Sequence, residues 1–210
     1  MKPLNEKILA LFQTGSETDA ELALVLMKAN DFDQKPLREL AVWCFSGYRY
    51  WNGTTLAAKL AELFKVKIRS YSGEILSELP ESLGLLTHLK MLDVSRNEFE
   101  QFPTVLLQLT NLKVLLLDEN QLSYLPPEIS RLKRLKKLCL LNNGLTEIPA
   151  SISKLRNLEY LELSENELKA IPTSIRRLQK LKELYLESNC LSSEEQYKIR
   201  KLLPNCKIFF

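Results

Sequence analysis

Residues 112–132 read LKVLLLDENQLSYLPPEISRL, and this pattern recurs along the chain with a fixed step of 23 residues. The same step separates five asparagines, which are Asn97, Asn120, Asn143, Asn166 and Asn189. It also separates five prolines, which are Pro80, Pro103, Pro126, Pro149 and Pro172. A short period with leucines in fixed columns predicts a solenoid, in which each unit buries its apolar face against its neighbours.

Each unit combines two hydrophobic periods. Leu115 and Leu117 alternate with residues of the opposite face, which predicts a short strand with one side inward. Apolar residues at a spacing of three or four follow, and they predict a loop and then a helical or 3₁₀ turn after Pro126. Asn120 stands where the chain leaves the strand. We expect its amide to bond backbone groups of that turn and of the next repeat.

The phrase LPxxIxxLxxLxxLxLxxNxL is carried by residues 125–145 and, with Ile148 in its first position, by residues 148–168. It resembles the 23-residue class of leucine-rich repeats, found in Ras-suppressor and Ras–Raf scaffold proteins, Roc–COR proteins and many bacterial proteins. The resemblance covers residues 66–191. It implies an α/β fold, a right-handed leucine-rich-repeat solenoid with a concave parallel sheet, and binding of a protein on that sheet. A signalling scaffold is one role that it suggests.

We expect three segments: a helical N-terminal cap (1–64), the leucine-rich repeats (65–191) and a C-terminal cap (192–210). Val66 opens a degenerate first repeat, in which the period puts Arg69 and Glu74 in the places of a core leucine and the ladder asparagine. An aromatic cluster in the first segment is interpreted as core filler, with a ligand site as the alternative. Its members are Trp43, Phe45, Tyr48, Tyr50 and Trp51.

The C-terminal cap is encoded by a change of pattern after Asn189. Residues 192–195 read SSEE, a capping box that predicts a helix running to Leu203. Pro204 stops this helix, and residues 206–210 follow as a final edge strand. We therefore expect the repeat array to be complete.

The chain has 210 residues, 45% of them hydrophobic and 26% charged, with a net charge of +3. This is an ordinary soluble profile, and no apolar run approaches the ~20 residues of a membrane span. The N-terminus lacks the apolar core of a signal peptide, and the four cysteines show no C-x-x-C spacing. These features favour the reducing cytoplasm. The chain is expected to be a monomer.

His88 is the only histidine, and the period places it outside the strands. Cys139 falls on the concave face instead, so a Cys–His pair within hydrogen-bond reach is not expected. The chain has neither a Gly-rich phosphate loop nor a His or Cys set with metal-ligand spacing. No catalytic residue, metal or cofactor is therefore expected. The alternative is a Cys-dependent enzyme using Cys139, or a bacterial effector of the ubiquitin-ligase type acting on a host protein.

Basic residues gather before and between the predicted strands. They are Arg131, Lys133, Arg134, Lys136, Lys137, Arg156, Arg176, Arg177, Lys180 and Lys182. A nucleic-acid site would need a stronger positive balance than +3, often with aromatic residues interleaved for base stacking. We interpret the set as a solvated ridge. An anionic membrane surface could meet the same ridge, although the chain has no lipid-anchor motif.

Strand periodicity leaves three columns of side chains on the concave face, with neighbours ~4.8 Å apart. The columns carry an apolar and aromatic band between a lysine rim and an acidic rim, which is the expected anatomy of a partner site. The candidate binding residues are Met91, Val114, Leu116, Asp118, Cys139, Leu141, Tyr160, Glu162, Glu183, Tyr185 and Glu187.

Tyr160 and Tyr185 are the expected anchors of the partner, because tyrosine is enriched among binding hot spots. The carboxylates around them predict that the contacting segment is basic and carries its Lys or Arg beside an apolar group. The predicted partner is thus a protein, and no nucleic acid or membrane-spanning contact is expected.

Overall fold

The computed structural model describes residues 65–67, 76–79, 81–85, 87 and 89–210. The predicted helical cap, its aromatic cluster and His88 lie outside the described residues. Within them, short strands alternate with 3₁₀-helices until an α-helix follows the sixth strand.

Among the described residues, seven three-residue strands form one parallel sheet in chain order. They are β1 (Lys65–Lys67), β2 (Met91–Asp93), β3 (Val114–Leu116), β4 (Lys137–Cys139), β5 (Tyr160–Glu162), β6 (Glu183–Tyr185) and β7 (Lys207–Phe209). From β2 to β6 the middle residues pair at the predicted step of 23, namely Leu92, Leu115, Leu138, Leu161 and Leu184. The parallel solenoid and the register of its columns are therefore confirmed.

Five 3₁₀-helices alternate with the strands in the described part. They are η1 (Glu81–Leu85), η2 (Thr104–Gln108), η3 (Pro127–Arg131), η4 (Ala150–Lys154) and η5 (Thr173–Arg177). Each of the last four follows a proline with φ between −67° and −61°, because the ring fixes that angle near the value of a helix start. Each of these four ends where a leucine N–H donates a hydrogen bond to the carbonyl three residues earlier, as Leu132 does to Ile129 at 3.0 Å.

The leucine columns fill one continuous core behind the sheet. Leu92, Leu115 and Leu138 are fully buried, and Phe99 and Phe102 take the places of leucines in the repeat of β2. Each buried leucine contributes roughly 1.5–3 kcal/mol relative to exposure. Because no repeat closes its apolar face alone, stability is approximately a sum over neighbouring repeats.

The asparagine ladder links each repeat to the one before it. Asn120 Oδ1 accepts a hydrogen bond from Phe99 N–H at 3.3 Å, and its Nδ2 donates to the carbonyl of Val94 at 3.2 Å. Nδ2 also donates to Leu117 O at 3.0 Å in its own repeat. The expectation of bonds to the next repeat was wrong in direction, since the turn folds the amide back over the preceding one.

The residue before each ladder asparagine has a left-handed backbone. The φ angle lies between 51° and 62° at Arg96, Glu119, Asn142, Glu165 and Ser188. This conformation costs roughly 1–2 kcal/mol for a residue other than glycine. It is retained because it turns the chain out of the strand and brings the asparagine amide onto two repeats at once.

The first repeat departs from the predicted register. Val66, and not Arg69, is level with Leu92 in the sheet. Val66 and Leu76 are ten residues apart, whereas the equivalent Leu92 and Phe99 are seven apart. The three additional residues put the strand earlier than the period predicts. Val66 therefore takes the strand position that the period assigned to Arg69.

The predicted C-terminal helix and edge strand are present. Ser192 Oγ accepts a hydrogen bond from Glu195 N–H at 3.2 Å and caps the helix α1 (Ser193–Leu202). The chain then returns to add β7 to the sheet beside β6. The role of this unit as a cap stays a prediction. In the described part of the chain, no helix is both long and apolar enough to cross a bilayer.

Candidate functional site

The strand register brings the predicted site residues onto one face of the sheet. Ten of the eleven retain solvent exposure, and the exception is Cys139 at 4%. The surface above this thiol is therefore formed by its neighbours. An aliphatic part lies on the β2 to β4 side, around Val114, Leu116 and Leu141.

Three aromatic rings lie in a row across β5, β6 and β7 on the other side of the face. The ring centroids of Tyr160 and Tyr185 are 5.1 Å apart, with the planes tilted by 37°. The rings of Tyr185 and Phe209 lie 4.4 Å apart and only 11° from parallel. We call these three residues the aromatic ladder. Centroid distances near 4.5–7 Å are typical of favourable aromatic pairs, so the ladder is a preformed platform.

Phe209 is a site residue that the sequence pattern misses. A step of 23 from Tyr185 ends at Ile208, but the connection through α1 is one residue longer and puts Phe209 level with Tyr185. Phe209 is 38% exposed. The signal that could have found it is the predicted edge strand itself, since one of two adjacent phenylalanines must face the concave side.

A lysine covers the inner end of the aromatic ladder. Lys137 Nζ lies 4.1 Å from the ring centroid of Tyr160, a cation–π contact between β4 and β5. The platform therefore already accepts a cation on one of its rings.

Two carboxylates hold the tyrosine hydroxyls. Tyr160 Oη donates to Glu162 Oε2 at 3.3 Å, and Tyr185 Oη donates to Glu183 Oε2 at 3.4 Å. Burial raises the pKa of both hydroxyls, and repulsion from the neighbouring carboxylate adds to the shift. The hydroxyls therefore stay protonated at neutral pH, and negative charge lies beside each ring.

Asp118 adds a carboxylate within the aliphatic part, just after β3. Its Oδ1 accepts a hydrogen bond from Leu141 N–H at 2.9 Å. Burial raises the pKa of this carboxyl to about 6, with repulsion from Glu162 and Asp93 adding, while the Leu141 bond and Lys137 oppose the rise. A cation delivered by a partner would favour the ionised carboxylate, because opposite charge lowers a carboxyl pKa.

Cys139 does not have the surroundings of a catalytic thiol. Burial raises the pKa of this thiol, and the charge of Asp118 adds to the rise, while Lys137 opposes it. A nucleophilic cysteine needs an accessible thiolate, which a lowered pKa provides. Within the described residues, no three His, Cys, Asp or Glu side chains form a group that could hold a metal ion. The geometry thus offers a binding surface more readily than a reaction centre.

Comparison with known families matches two parts of the repeat region. The family described as Leucine rich repeat matches residues 133–191, and a second family of the same description matches residues 111–132. No curated protein matches the chain.

Several solved structures share the fold. A TDR receptor is 37% identical over 63% of this chain and 24% of its own, with a TM-score of 0.54. A second structure is the ectodomain of the receptor kinase GASSHO1/SCHENGEN3 from Arabidopsis thaliana in complex with CASPARIAN STRIP INTEGRITY FACTOR 2. It is 30% identical over 59% of this chain and 16% of its own, with a TM-score of 0.52. The structure of PEPR1–AtPEP1 is 33% identical over 54% of this chain and 17% of its own, with a TM-score of 0.50. The chain thus spans at most 24% of these solved chains.

Proposed function

Because the chain is a leucine-rich-repeat protein, we propose that its concave sheet binds a protein partner, without catalysis, as a scaffold module. The observation that carries this proposal is the aromatic ladder, which is exposed on the concave face and flanked by carboxylates. Its rings have no core to fill, since the leucine columns form a core behind the sheet. The two solved neighbours recorded as complexes, with CASPARIAN STRIP INTEGRITY FACTOR 2 and with AtPEP1, support binding as the use of this fold.

The partner segment is basic and carries an apolar group next to its Lys or Arg. Glu162 and Glu183 place charge directly beside the tyrosine rings, and Asp118 places it toward the aliphatic part. Lys137 over Tyr160 is an internal example of a cation on this surface. A guanidinium or ammonium group would find two kinds of partner here. The aromatic rings favour a cation–π contact, and the carboxylates supply complementary charge.

The protein is also proposed to be a cytoplasmic monomer. Cys139, Cys190 and Cys206 are free thiols in the described part of the chain, and free thiols are usual in a reducing compartment. One solved neighbour is a receptor ectodomain, so secretion is the competing location. Mass determination of the purified chain in solution, and localisation of a tagged chain in its cell, test the two statements separately.

The double substitution Tyr160→Ala/Tyr185→Ala tests the binding face. A pull-down with the wild-type chain identifies the partner, and the variant should bind it at least about thirtyfold more weakly, or about 2 kcal/mol. The melting temperature of the variant should fall modestly, because an aromatic pair contributes roughly 0.5–1.5 kcal/mol to stability.

The matched control is Tyr124→Ala/Tyr197→Ala. These tyrosines are 44% and 58% exposed and lie off the strands, so the control should keep full affinity. Unchanged affinity of the Tyr160/Tyr185 variant, with a near-normal melt, would place the partner on another surface.

A further inference from the structure

One flank of the solenoid is uniformly basic. Residues 131–136, 154–159 and 177–182 are equivalent segments of three successive repeats, each running from the end of a 3₁₀-helix to the residue before a strand. Together they hold nine Lys or Arg residues and a single acidic residue, Glu159. All nine basic side chains are exposed. We call these three segments the basic flank.

Repeat stacking aligns these cations in rows. Arg131, Lys154 and Arg177 are the last residues of η3, η4 and η5, and these helices pack on one another. Lys133 and Arg156 form a second row two residues further along the chain. The positive charge therefore lies side by side across three repeats.

Most of this charge is not neutralised within the part of the chain that the structure describes. Glu159 binds Lys136 Nζ at 3.1 Å and Lys182 Nζ at 2.6 Å. Arg134 and Lys180 donate to the uncharged amides of Asn111 and Asn157. The remaining five form no ion pair with any described residue, and they are Arg131, Lys133, Lys154, Arg156 and Arg177.

The opposite flank has the opposite charge. Residues 119–124, 142–147 and 165–170 follow β3, β4 and β5 at the other end of the strands. They hold four acidic residues and one basic residue, Lys169. The net charge of the chain is only +3, but these segments make one flank of the repeats positive and the other negative.

We propose that the basic flank docks the protein on the surface of an anionic lipid bilayer. Each Lys or Arg held near such a surface adds to the attraction, and the acidic flank turns away from it. The three segments contain no aromatic residue on which a nucleic-acid base could stack, so the bilayer is favoured over single-stranded nucleic acid. The concave face remains open in this orientation, and the inference does not depend on the function proposed for that face.

Vesicle co-sedimentation of the full chain tests this inference. The protein should bind phosphatidylcholine vesicles containing about 30% phosphatidylserine, and not pure phosphatidylcholine vesicles. Salt at about 0.5 M should release it, because screening shortens the reach of the charges. Arg131→Gln/Arg156→Gln/Arg177→Gln should lower the partition coefficient on the order of a hundredfold.

The matched control is Lys169→Gln/Lys201→Gln/Lys207→Gln, which removes the same charge from exposed positions outside the basic flank. It should retain binding to within about threefold, and the Tyr160/Tyr185 variant should bind like wild type. An equal loss in both triple variants, no binding at low salt, or tighter binding to a nucleic-acid duplex than to vesicles would each overturn the inference. Thermal melts check that every variant is folded.

Discussion

The choice of asparagine at the end of each strand follows from hydrogen-bond chemistry. Asn143 Oδ1 accepts from Leu122 N–H at 3.0 Å, while its Nδ2 donates to the carbonyls of Leu117, Leu140 and Leu141 at 3.1–3.2 Å. Aspartate lacks the donors for this pattern, and serine supplies only one. Because the side chain is 9% exposed, water cannot replace these partners. The sequence period alone located all five asparagines, but their direction of bonding needed the fold.

Replacing Asn143 with alanine should therefore destabilise the protein. We expect a loss of about 1–3 kcal/mol in the free energy of unfolding, because buried backbone groups lose their partner. Denaturant unfolding measures it, with Gln121→Ala as an exposed control expected to change stability by less than about 0.5 kcal/mol. A melting temperature equal to that of wild type would rule out the structural role of the ladder.

Asp118 gives stability a specific pH dependence. Its pKa is raised to about 6 in the folded state, so the folded chain holds this proton more tightly than the unfolded chain. The contribution of Asp118 is most favourable below the unfolded pKa of 3.8 and is lost as pH rises through about 6. Asp118→Asn should consequently raise stability at pH 7 by about 1–2 kcal/mol, after allowing for solvent screening, and change it little near pH 4.

Unfolding of wild type and Asp118→Asn at both pH values gives this difference directly. Glu187→Gln, at an exposed carboxylate on the same face, is the control for the loss of a negative charge there. A gap between wild type and Asp118→Asn that is the same at pH 4 and pH 7 would contradict the assignment.

At the scale of elements, periodicity predicts structure wherever connection lengths are constant. The strands from β2 to β6 and their columns follow from the 23-residue step, and so do the tyrosines of the candidate site. The step fails at both ends of the sheet. Three additional residues separate Val66 from Leu76, and one additional residue in the connection through α1 moves Phe209 onto the concave face. Such insertions change no local propensity, so only the assembled sheet reveals them.

Tertiary contacts also decide two properties that periodicity cannot give. The pattern places Cys139 in the same column as Glu162, yet the thiol is buried and the carboxylate is not. The two side chains occupy the same position in their strands, so strand position alone does not decide burial. The sequence also does not predict the left-handed residue before each asparagine, because Glu165 and Ser188 have no strong preference for that backbone conformation.

At the scale of the whole molecule, repeat solenoids generally need a capping unit at each end. Removing residues 1–64 should expose the end at β1, and residues 65–210 should aggregate, because terminal repeats require a polar outer face. Light scattering after size exclusion, with the intact chain as control, measures this. If residues 65–210 remain monomeric and fully folded, the N-terminal segment is a separate functional domain and not a cap.

The backward direction of the asparagine bonds also has a consequence for folding during synthesis. Each repeat receives its last hydrogen-bond acceptor from a side chain that is translated 21 residues later, as Leu122 does from Asn143. At a synthesis rate of about 5–20 residues per second, that delay is on the order of one to four seconds. We therefore expect the newest repeat to stay incompletely bonded until the asparagine of the following repeat has been translated.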